Sequence, residues 1–314
     1  MKSALSGQRV VVTGASGFIG THLCRRLTAV GAEVHGISRA PRESGASAVR
    51  WWQADVADTA SIREALGRIG PAVLYHLAGH TSAARDAQLV IPIFRSTLLT
   101  TVNLLVAASE MECQRIVLAG SLEEPEDHHG GEAVPSSPYA AAKWACSGYA
   151  RMFWQLFSTP VVMTRIFMAY GPGQEDRLKL VPYVIGRLLQ GVAPRLGSGQ
   201  RLVDWIYVED VVEGLLRAAE APQLEGRTVD LGSGTLVPVR EVVAKLVRIM
   251  GSPVEPLFGA LPDRPNERER AADSADAYAK LRWRATTSLE VGLARTVDWC
   301  RAHRDGPHET VSIQ

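Results

Sequence analysis

The most constraining feature of the chain is a glycine-rich turn close to the first residue. Residues 10–20 read Val-Val-Val-Thr-Gly-Ala-Ser-Gly-Phe-Ile-Gly, so glycines 14, 17 and 20 follow a β-branched run and precede an amphipathic stretch. Glycines at this spacing permit a tight turn, close approach of the backbone to a diphosphate, and close packing of a helix on a strand. The helix N-terminus offers N–H donors and a positive dipole to an anion. The turn therefore predicts a dinucleotide-binding unit.

The first half of the chain alternates short β-branched runs with longer amphipathic segments. The pattern predicts strands at residues 9–13, 33–38, 72–77, 115–119 and 161–167. It predicts helices at residues 18–30, 61–69, 98–111 and 139–157. Alternating strands and helices favour a parallel sheet that is covered by helices on both faces. We therefore predict an α/β fold with a Rossmann-type, doubly wound parallel sheet and a smaller, mixed α/β C-terminal lobe that binds the substrate.

The character of the sequence changes after Tyr170, where Gly171-Pro172-Gly173 interrupts the pattern. Beyond it, helices are predicted at residues 178–190 and 240–250, and the proline-rich stretch 253–265 is predicted to be a loop. We assign residues 1–170 to the dinucleotide-binding domain and residues 171–314 mainly to the substrate-binding lobe. Residues 203–219 are expected to return to the first domain.

The bulk composition argues against several classes of protein. The 34 basic and 33 acidic residues lack the basic excess of a nucleic-acid-binding protein. The four cysteines are far apart and form no Cys-x-x-Cys pair, so we expect no disulfide framework, no metal site and a reducing compartment. We find no signal-peptide pattern and expect no apolar stretch long enough to cross a bilayer. These observations predict a cytoplasmic protein without nucleic-acid or membrane partners.

Arg39 follows the second predicted strand, in the sequence Gly36-Ile37-Ser38-Arg39, and Arg42 is close by. A carboxylate at this place accepts hydrogen bonds from the adenosine ribose of NAD, whereas an arginine suits the 2′-phosphate of NADP. We therefore favour NADP(H), with NAD as the alternative if Arg39 only stacks on adenine or is solvated. Asp55 follows another short strand and is either an acceptor for the adenine amino group or a turn residue.

Tyr139 and Lys143 are four residues apart at the start of a predicted helix, so both face the same way. Ser137 and Pro138 suit the N-cap and first position of that helix. A phenol is a poor base at neutral pH, and a nearby ammonium stabilises its anion. Ser121 follows the strand at 115–119, at the carboxyl end where open α/β sheets bind ligands. We predict that Ser121, Tyr139 and Lys143 run hydride-transfer chemistry.

These motifs together resemble the extended short-chain dehydrogenases/reductases, and within them the NAD-dependent epimerase/dehydratase family that acts on nucleotide sugars. The resemblance runs from Arg9 to Arg301 and is carried by residues 13–20, 76–79, 121, 139 with 143, 165–173, 204–211, 264–267 and 281–299. It implies oxidation and reduction at a sugar carbon, usually C4. In this reaction Tyr139 exchanges the proton and Ser121 positions the reacting oxygen of the substrate. Lys143 stabilises the anion of Tyr139 and holds the nicotinamide ribose. The resemblance also implies a homodimer that packs helices 98–111 and 139–157 of each subunit.

Two sets of residues are predicted to line the site. The residues expected to contact the dinucleotide are Gly14, Ser16, Gly17, Phe18, Ile19, Gly20, Ser38, Arg39, Arg42, Asp55, Val56, Leu77, Ala78, Gly79, Tyr139 and Lys143. The residues expected to contact the substrate are His80, Ser82, Glu123, Met168, Arg201 and Arg264.

The chain departs from the family at positions that grip the substrate. Met168 and Thr97 stand where the family often has asparagine, and Val203 stands where it has a phosphate-contacting arginine. Arg201 lies close enough in sequence to take over the phosphate contact that the family's arginine makes at position 203. The retained Arg264 can still hold a phosphate. These changes leave open a differently bound nucleotide sugar or another hydroxylated or keto compound.

The segment after Ser121 bears on the type of reaction. The 4,6-dehydratases of the family carry an acid and then a glutamate after this position, and this chain reads Ser121-Leu122-Glu123-Glu124. Leu122 cannot act as an acid. Glu123 is either a catalytic acid or base, or a surface charge in an acidic loop that includes Glu124.

The sequence therefore predicts an NAD(P)-dependent oxidoreductase, with a nucleotide-sugar 4-ketoreductase or epimerase as the first hypothesis. A 4,6-dehydratase that uses Glu123, a reductase of a non-sugar carbonyl, and a non-catalytic NADP-binding regulator are the alternatives. The regulator is an alternative because fold alone does not determine function. The intact set of Ser121, Tyr139 and Lys143 argues against it, because a non-catalytic relative could lose these residues freely.

Overall fold

The β-branched runs form two sheets in the computed structural model of the protein, which describes residues 3–43, 48–82, 84–125, 133–263 and 269–303. The strands in chain order are β1 (Arg9–Thr13), β2 (Glu33–Ser38), β3 (Val49–Gln53), β4 (Val73–His76), β5 (Arg115–Ser121), β6 (Val161–Ile166), β7 (Met168–Tyr170), β8 (Leu202–Tyr207), β9 (Thr228–Leu231) and β10 (Leu236–Pro238). Seven of them form a sheet in the order β3-β2-β1-β4-β5-β6-β9, with every neighbouring pair parallel. This sheet confirms the predicted α/β class.

Helices cover both faces of the large sheet and also pack against the small one. In chain order they are α1 (Phe18–Ala29), α2 (Thr59–Ile69), α3 (Val90–Ile93), α4 (Thr100–Ser109), α5 (Pro138–Phe157), α6 (Leu180–Leu189), α7 (Val208–Glu220), α8 (Val239–Met250), α9 (Ser274–Leu281) and α10 (Leu289–Ala302). The small sheet has the order β10-β8-β7, in which β8 is antiparallel to β10 and parallel to β7. The mixed second lobe of the prediction is therefore present.

Side-chain alternation along β1 explains how the large sheet is buried on both faces. Val10 and Val12 enter the apolar cluster that includes Leu23 and Leu27 of α1. Val11 points the other way, into the cluster formed with α2, α4 and α5. Successive strand residues face opposite sides of a sheet, so a run of three valines requires apolar layers on both sides.

The segment 203–219, which was predicted to return to the first domain, divides between the two sheets. Its first part is β8 of the small sheet, whereas α7 packs against α1, β5 and β6 of the large sheet. The chain then adds β9 beside β6 as the outermost strand. Later residues also reach the large sheet, because α9 packs against β9, and Leu281 and Trp283 lie in the same apolar cluster as Leu231.

Local signals set the start of α5 as predicted. Ser137 Oγ accepts a hydrogen bond from the Ala140 N–H at 3.1 Å, and Pro138 is the first helical residue. A serine side chain satisfies an N–H that has no partner within the helix, and proline lacks an N–H that would need one. These two residues place Tyr139 and Lys143 in the first two turns.

The helical run before β5 starts earlier than predicted. Residues 87–109 are helical throughout, first as a 3-10 turn, then α3, a π-helical stretch at Phe94–Leu99, and α4. Pro92 precedes the predicted helix at residues 98–111 in the sequence, but it lies inside α3. Pro92 is the third residue of α3, and proline is tolerated in the first turn of an α-helix. The 3-10 turn before α3 begins at the capping bond from the Gln88 N–H to Asp86 Oδ1.

This helical run also corrects the expectation about apolar length. Residues Ala87–Ser109 have a mean hydropathy of 1.7 over the most apolar 18-residue window, enough by length and composition to cross a membrane, and 39% of that window is buried within the protein. Leu104 and Leu105 pack in the core beneath the sheet. A core helix meets the same criteria, so the run is weak evidence for a membrane span, and the cytoplasmic location stays a prediction.

The buried side chain of His76 links the end of β4 to β1 and α4. Thr13 Oγ1 lies 2.7 Å from its Nδ1, and Thr101 Oγ1 lies 3.1 Å from its Nε2. Because the Thr101 hydroxyl already donates to Thr97 O, it accepts from Nε2–H, and Nδ1 accepts from the Thr13 hydroxyl. Burial, assisted by the positive charge of Lys143, lowers the pKa of His76 to about 3. His76 is therefore neutral in the folded protein.

The neutral state of His76 makes folding stability depend on pH. The histidine pKa is about 6.5 in the unfolded chain and about 3 in the folded one, so the unfolded chain binds more protons between these values. The contribution is fully present above about pH 6.5 and is lost as the pH falls towards 3. Between pH 7 and pH 5 this group should lower the free energy of unfolding by about 2 kcal/mol.

Urea titrations at pH 7, 6 and 5 test this expectation. His76→Gln should be less stable than the wild type at pH 7, because a buried hydrogen-bonded group is altered, but should lose less stability on acidification. His303→Gln, at an exposed position, should keep the wild-type slope. Equal slopes for His76→Gln and the wild type would contradict the assignment.

Candidate active site

The glycine turn has the geometry of a phosphate cradle. Gly14 has φ +68°, and a Cβ there would lie 2.8 Å from Ala78 N, while a Cβ at Gly20 would overlap Gly14 O. Gly17 caps α1 without a side chain, and the first turn of α1 carries no acidic residue. The N–H groups of that turn are therefore open to an anion. Exposed Ser16 lies on the same turn. Phe18 and Ile19, which are half-buried, open the helix. The cradle fits a dinucleotide diphosphate.

The carboxyl end of β2 carries an arginine at the place where a ribose would lie. Ser38 is the last residue of β2 and is half-buried, and Arg39 beyond it is exposed. The Arg39 carbonyl accepts a hydrogen bond from Gln53 Nε2 at 3.2 Å, which ties this turn to β3. The Arg42 guanidinium lies over the Trp51 ring, 5.2 Å from its centroid. Arg42 is thus engaged with the edge strand, and Arg39 is the cation that directly follows β2.

Residues after β3 form a turn. Asp55 Oδ1 accepts a hydrogen bond from the Ala57 N–H at 2.9 Å, the geometry of a side-chain-capped turn. Val56 is buried, and Asn103 Nδ2 of α4 donates to its carbonyl oxygen at 3.2 Å. The bond from the Ala57 N–H to Asp55 Oδ1 supports the interpretation of Asp55 as a turn residue, and a hydrogen bond from adenine to Asp55 stays a prediction.

The loop after β4 connects the cradle to α5, which carries Tyr139 and Lys143. Leu77 is half-buried against the core, and the Ala78 N–H donates to Thr13 Oγ1 at 3.3 Å. A Cβ placed on Gly79 would lie 3.9 Å from Lys143 Nζ. The predicted cofactor residues of this loop therefore reach from the glycine turn to Lys143.

The predicted catalytic residues meet at one edge of the sheet. Ser121 is the last residue of β5, two residues beyond the predicted strand end, and is buried. Lys143 Nζ donates to Ala119 O at 2.6 Å and lies 6.0 Å from the centroid of the Tyr139 ring. This bond holds the first turns of α5 over the end of β5, on the side of the sheet where Ser121 lies.

Glu123 and Arg201 form an ion pair beside Ser121. The Glu123 N–H donates to Ser121 Oγ at 3.2 Å, and Glu123 Oε2 accepts from the Ser136 hydroxyl at 3.3 Å. Glu123 Oε1 lies 3.7 Å from Arg201 Nη2, and the two side chains are 17% and 21% exposed. Glu123 is therefore a carboxylate of the site rather than a solvated surface charge. Arg201 directly precedes β8 of the small sheet, and Glu123 follows β5 of the large one, so this ion pair connects the two sheets.

The neighbours of Glu123 differ from expectation in one respect. Leu122 is buried in the core, as its apolar character requires. Glu124 was grouped with an acidic surface loop, but it is buried, and its Oε1 accepts from the Ser121 N–H at 2.7 Å. Sequence reasoning missed this residue, because two adjacent glutamates after a strand give no local signal of which one turns inward.

The remaining predicted substrate residues lie around the same edge. The His80 N–H donates to Thr97 Oγ1 at 3.3 Å, and Ser82 Oγ accepts from the Ala84 N–H at 3.3 Å. Lys179 Nζ, just before α6, donates to Thr81 O at 2.7 Å and ties this loop to the second lobe.

The other two substrate positions come from the second half of the chain. Met168 is half-buried in β7, where it pairs with Trp205 of β8. Arg264 lies outside the described residues, so its predicted phosphate contact stays a prediction. Within the described ranges, no group of three or more histidine, cysteine, aspartate or glutamate side chains is placed to hold a metal ion.

The fold and site geometry agree with comparisons to known proteins. Residues 10–232 match the sequence model of the NAD dependent epimerase/dehydratase family. The UDP-glucose 4-epimerase of Mycolicibacterium smegmatis is 31% identical to this chain, covering 93% of this chain and 98% of the relative. The dTDP-glucose 4,6-dehydratase of an Actinoplanes species is 27% identical, covering 94% and 98%. The solved UDP-glucose 4-epimerase of Thermus thermophilus, in complex with NAD, superposes with a TM-score of 0.82 at 28% identity, covering 93% of this chain and 99% of that one.

The chain belongs to the NAD-dependent epimerase/dehydratase family. The resemblance inferred from its motifs is confirmed, as are its Rossmann-type fold and its assignment as an enzyme. Both epimerases and 4,6-dehydratases are among its relatives, so the family does not by itself select the reaction.

Proposed function

We propose that the enzyme transfers hydride at C4 of a nucleotide sugar, as a 4-epimerase or a 4-ketoreductase. The observation that carries this proposal is the meeting of three features at one sheet edge: the phosphate cradle, Lys143 and Ser121. The cradle lies at the carboxyl end of β1. The strands after β1 in the chain, β2 and β3, lie on one side of it, and β4 lies on the other, so the strand order reverses at β1. Ligands of open α/β sheets bind in the crevice at such a reversal.

The residues at this edge divide the chemistry between them. A nicotinamide dinucleotide, when bound, supplies hydride acceptance and return. The cradle of Gly14, Gly17 and the first turn of α1 would hold its diphosphate. Ser121 Oγ and the Tyr139 hydroxyl bind the reacting sugar oxygen, and Tyr139 takes or returns its proton. Lys143 has three donors, and one is used by Ala119 O, which leaves two for the nicotinamide ribose and for the Tyr139 oxygen.

Two features support the nucleotide sugar and favour epimerisation or reduction over dehydration. Arg201 places a guanidinium at the site, and guanidinium groups pair well with phosphates. Leu122 is buried where the 4,6-dehydratases resembled by this chain carry an acid, so one of their two carboxyl groups is missing.

A 4,6-dehydratase is the second candidate, because Glu123 is held within the site. Its N–H donates to Ser121 Oγ, and its carboxylate pairs with Arg201 and is mostly shielded from water. A carboxylate there can act as acid or base on a sugar carbon next to the one oxidised.

Product analysis distinguishes the candidates. We expect UDP-glucose or UDP-galactose to be converted to its C4 epimer, or a 4-keto sugar nucleotide to be reduced with consumption of reduced dinucleotide, without loss of water. Tyr139→Phe should lower turnover at least about 100-fold, because it removes the proton carrier, and should leave dinucleotide affinity unchanged. Chromatography with mass detection measures both products.

The variants decide the outcome. Wild-type turnover in Tyr139→Phe would remove Tyr139 from its assigned role. Loss of water from dTDP-glucose in the wild type, abolished in Glu123→Gln while hydride transfer persists, would favour the dehydratase over the epimerase.

For the cofactor, we propose a preference for NADP(H) that depends on Arg39. The support is the cation after β2, where a carboxylate would favour NAD, although the Thermus thermophilus relative was solved with NAD. Arg39→Ala should weaken NADPH binding by roughly 10- to 100-fold, the loss of one or two charge-assisted hydrogen bonds, and change NADH binding little. Arg42→Ala is the matched control and should change NADPH binding less.

Fluorescence titration of protein stripped of nucleotide measures these affinities. NAD that copurifies and resists removal would contradict the NADP(H) preference and indicate an epimerase that recycles its hydride. An exchangeable NADPH would indicate a net 4-ketoreductase.

We also propose a homodimer formed by residues 87–99 and α5. The segment 98–111, which was predicted to pack in the dimer, is mostly buried in the core, so residues 87–99 take its place in the proposal. The neighbouring residues 87–99 and α5 expose large apolar side chains: Val90, Ile91, Phe94, Trp144, Tyr149, Leu156 and Phe157. Contiguous exposed apolar surface marks protein interfaces, and a two-fold axis would bury the same surface of both copies. Light scattering should give twice the chain mass of 34.0 kDa. Phe94→Glu should shift the protein to monomer, and a wild-type monomer at all concentrations would contradict the proposal.

A further inference from the structure

Glu124 is a buried carboxylate that the proposed chemistry does not use. It is 3% exposed. Its Oε1 accepts from the Ser121 N–H at 2.7 Å, and its Oε2 accepts from the Ser147 hydroxyl at 2.5 Å. Its own N–H donates to Ser121 O at 3.1 Å. A charged side chain is rarely buried unless it is fully hydrogen-bonded, so this arrangement requires a reason.

The first reason lies in the strand. Along β5, the Arg115 N–H donates towards β4, to Ala72 O, and the Ile116 N–H donates towards β6, to Pro160 O. Odd-numbered amides of β5 therefore face β4. The last residue of β4, His76, is in register with Leu118, so β4 has ended before the level of Ser121. The Ser121 N–H is left without a strand partner, and Glu124 satisfies it.

The second reason lies in the helix. Ser147 follows Lys143 by one helical turn and Tyr139 by two, so these three side chains share one face of α5. Lys143 binds Ala119 O, and Ser147 binds the carboxylate that holds Ser121. Two adjacent ties therefore connect the end of β5 to the catalytic face of α5.

Gly120 shows that the path of the carboxylate is built into the strand. A Cβ at this position would lie 2.5 Å from Glu124 Oε1, closer than nonbonded atoms approach. A side chain at position 120 would therefore push the Glu124 carboxylate away from the Ser121 N–H.

We propose that Glu124 is a positioning residue for hydride transfer. It holds the backbone of Ser121 at a fixed place relative to Tyr139 and Lys143 by bridging β5 to α5 through Ser147. The hydrogen-bonded bridge from the Ser121 N–H through Glu124 to Ser147, called the tie below, is independent of the reaction. Its catalytic consequence rests on the proposed function.

Amide hydrogen exchange, followed by NMR on the full-length protein, tests the tie without any substrate. In Glu124→Leu the Ser121 amide should exchange roughly 10- to 100-fold faster, the loss of one hydrogen bond to a charged group. Ser147→Ala should accelerate it less, and the double variant should add little to Glu124→Leu, because both changes break the same bridge. Gly120→Ala should resemble Glu124→Leu.

Asp210 offers a matched control. It is a buried carboxylate that accepts from the Thr286 and Thr287 amides, away from the site. Asp210→Ala should accelerate exchange at those two amides and leave Ser121 unchanged. If Glu124→Leu does not fold, Ser147→Ala and Glu124→Gln carry the test.

Kinetics test the consequence. Glu124→Leu should lower kcat at least about 10-fold, with KM and dinucleotide Kd within about 3-fold of wild type, whereas Glu124→Gln should recover most of kcat. Glutamine can still accept from the Ser121 N–H and can donate to Ser147 Oγ.

Two results would overturn the proposal. The first is unchanged exchange of the Ser121 amide in both Glu124→Leu and Ser147→Ala. The second is faster exchange with wild-type kcat, which would make Glu124 a structural residue only. If the wild type converts none of the nucleotide sugars, the proposed function fails by itself, and exchange at Ser121 and over residues 139–147 still supports or overturns the tie.

Discussion

The unequal length of two neighbouring parallel strands determines how this site is built. β5 continues to Ser121, whereas β4 ends at His76, in register with Leu118. The backbone groups of β5 beyond that level face the side where β4 has stopped, and buried backbone groups must find partners. Lys143 donates to Ala119 O, and Glu124 accepts from the Ser121 N–H. A lysine and a glutamate thus take the place of the missing strand, and this brings α5 to the sheet edge.

The same edge carries the phosphate cradle, because all seven strands run in one direction. The carboxyl ends of β1, β4 and β5 are neighbours in the sheet, so the turn at Gly14, the loop to Gly79 and the serine at 121 meet. His76 lies beneath them as a neutral ring between Thr13 and Thr101. Its neutrality follows from burial and from the charge of Lys143, and it lets one hydrogen-bonded chain connect β1, β4 and α4 below the site.

The second lobe completes the site from the other side. Arg201, next to β8, pairs with Glu123, and Lys179, next to α6, donates to the loop that carries His80. Both contacts join the small lobe to loops that follow strands of the large sheet. A substrate phosphate that reaches Arg201 would compete with Glu123 for it, since both are anions. Under the proposed function, this ion pair couples phosphate binding at Arg201 to the carboxylate on which the dehydratase alternative depends.

Local chemistry in the sequence determined the class of fold and the centre of the site. The glycine turn, the Ser137-Pro138 start of α5 and the spacing of Tyr139 and Lys143 act between residues that are close in the chain, so their effect can be read without knowing what packs against them. Tertiary structure decided what depends on distant partners. It extended the helix before β5 back to Ala87, divided residues 203–219 between two sheets, and brought Arg201 to Glu123. It also turned Glu124 inward, although Glu123 and Glu124 are chemically identical neighbours. What distinguishes them is the set of partners for Glu124: the Ser121 N–H, which has no strand partner because β4 has ended, and the Ser147 hydroxyl on α5. Burial of a charge is stable only where such groups supply its hydrogen bonds.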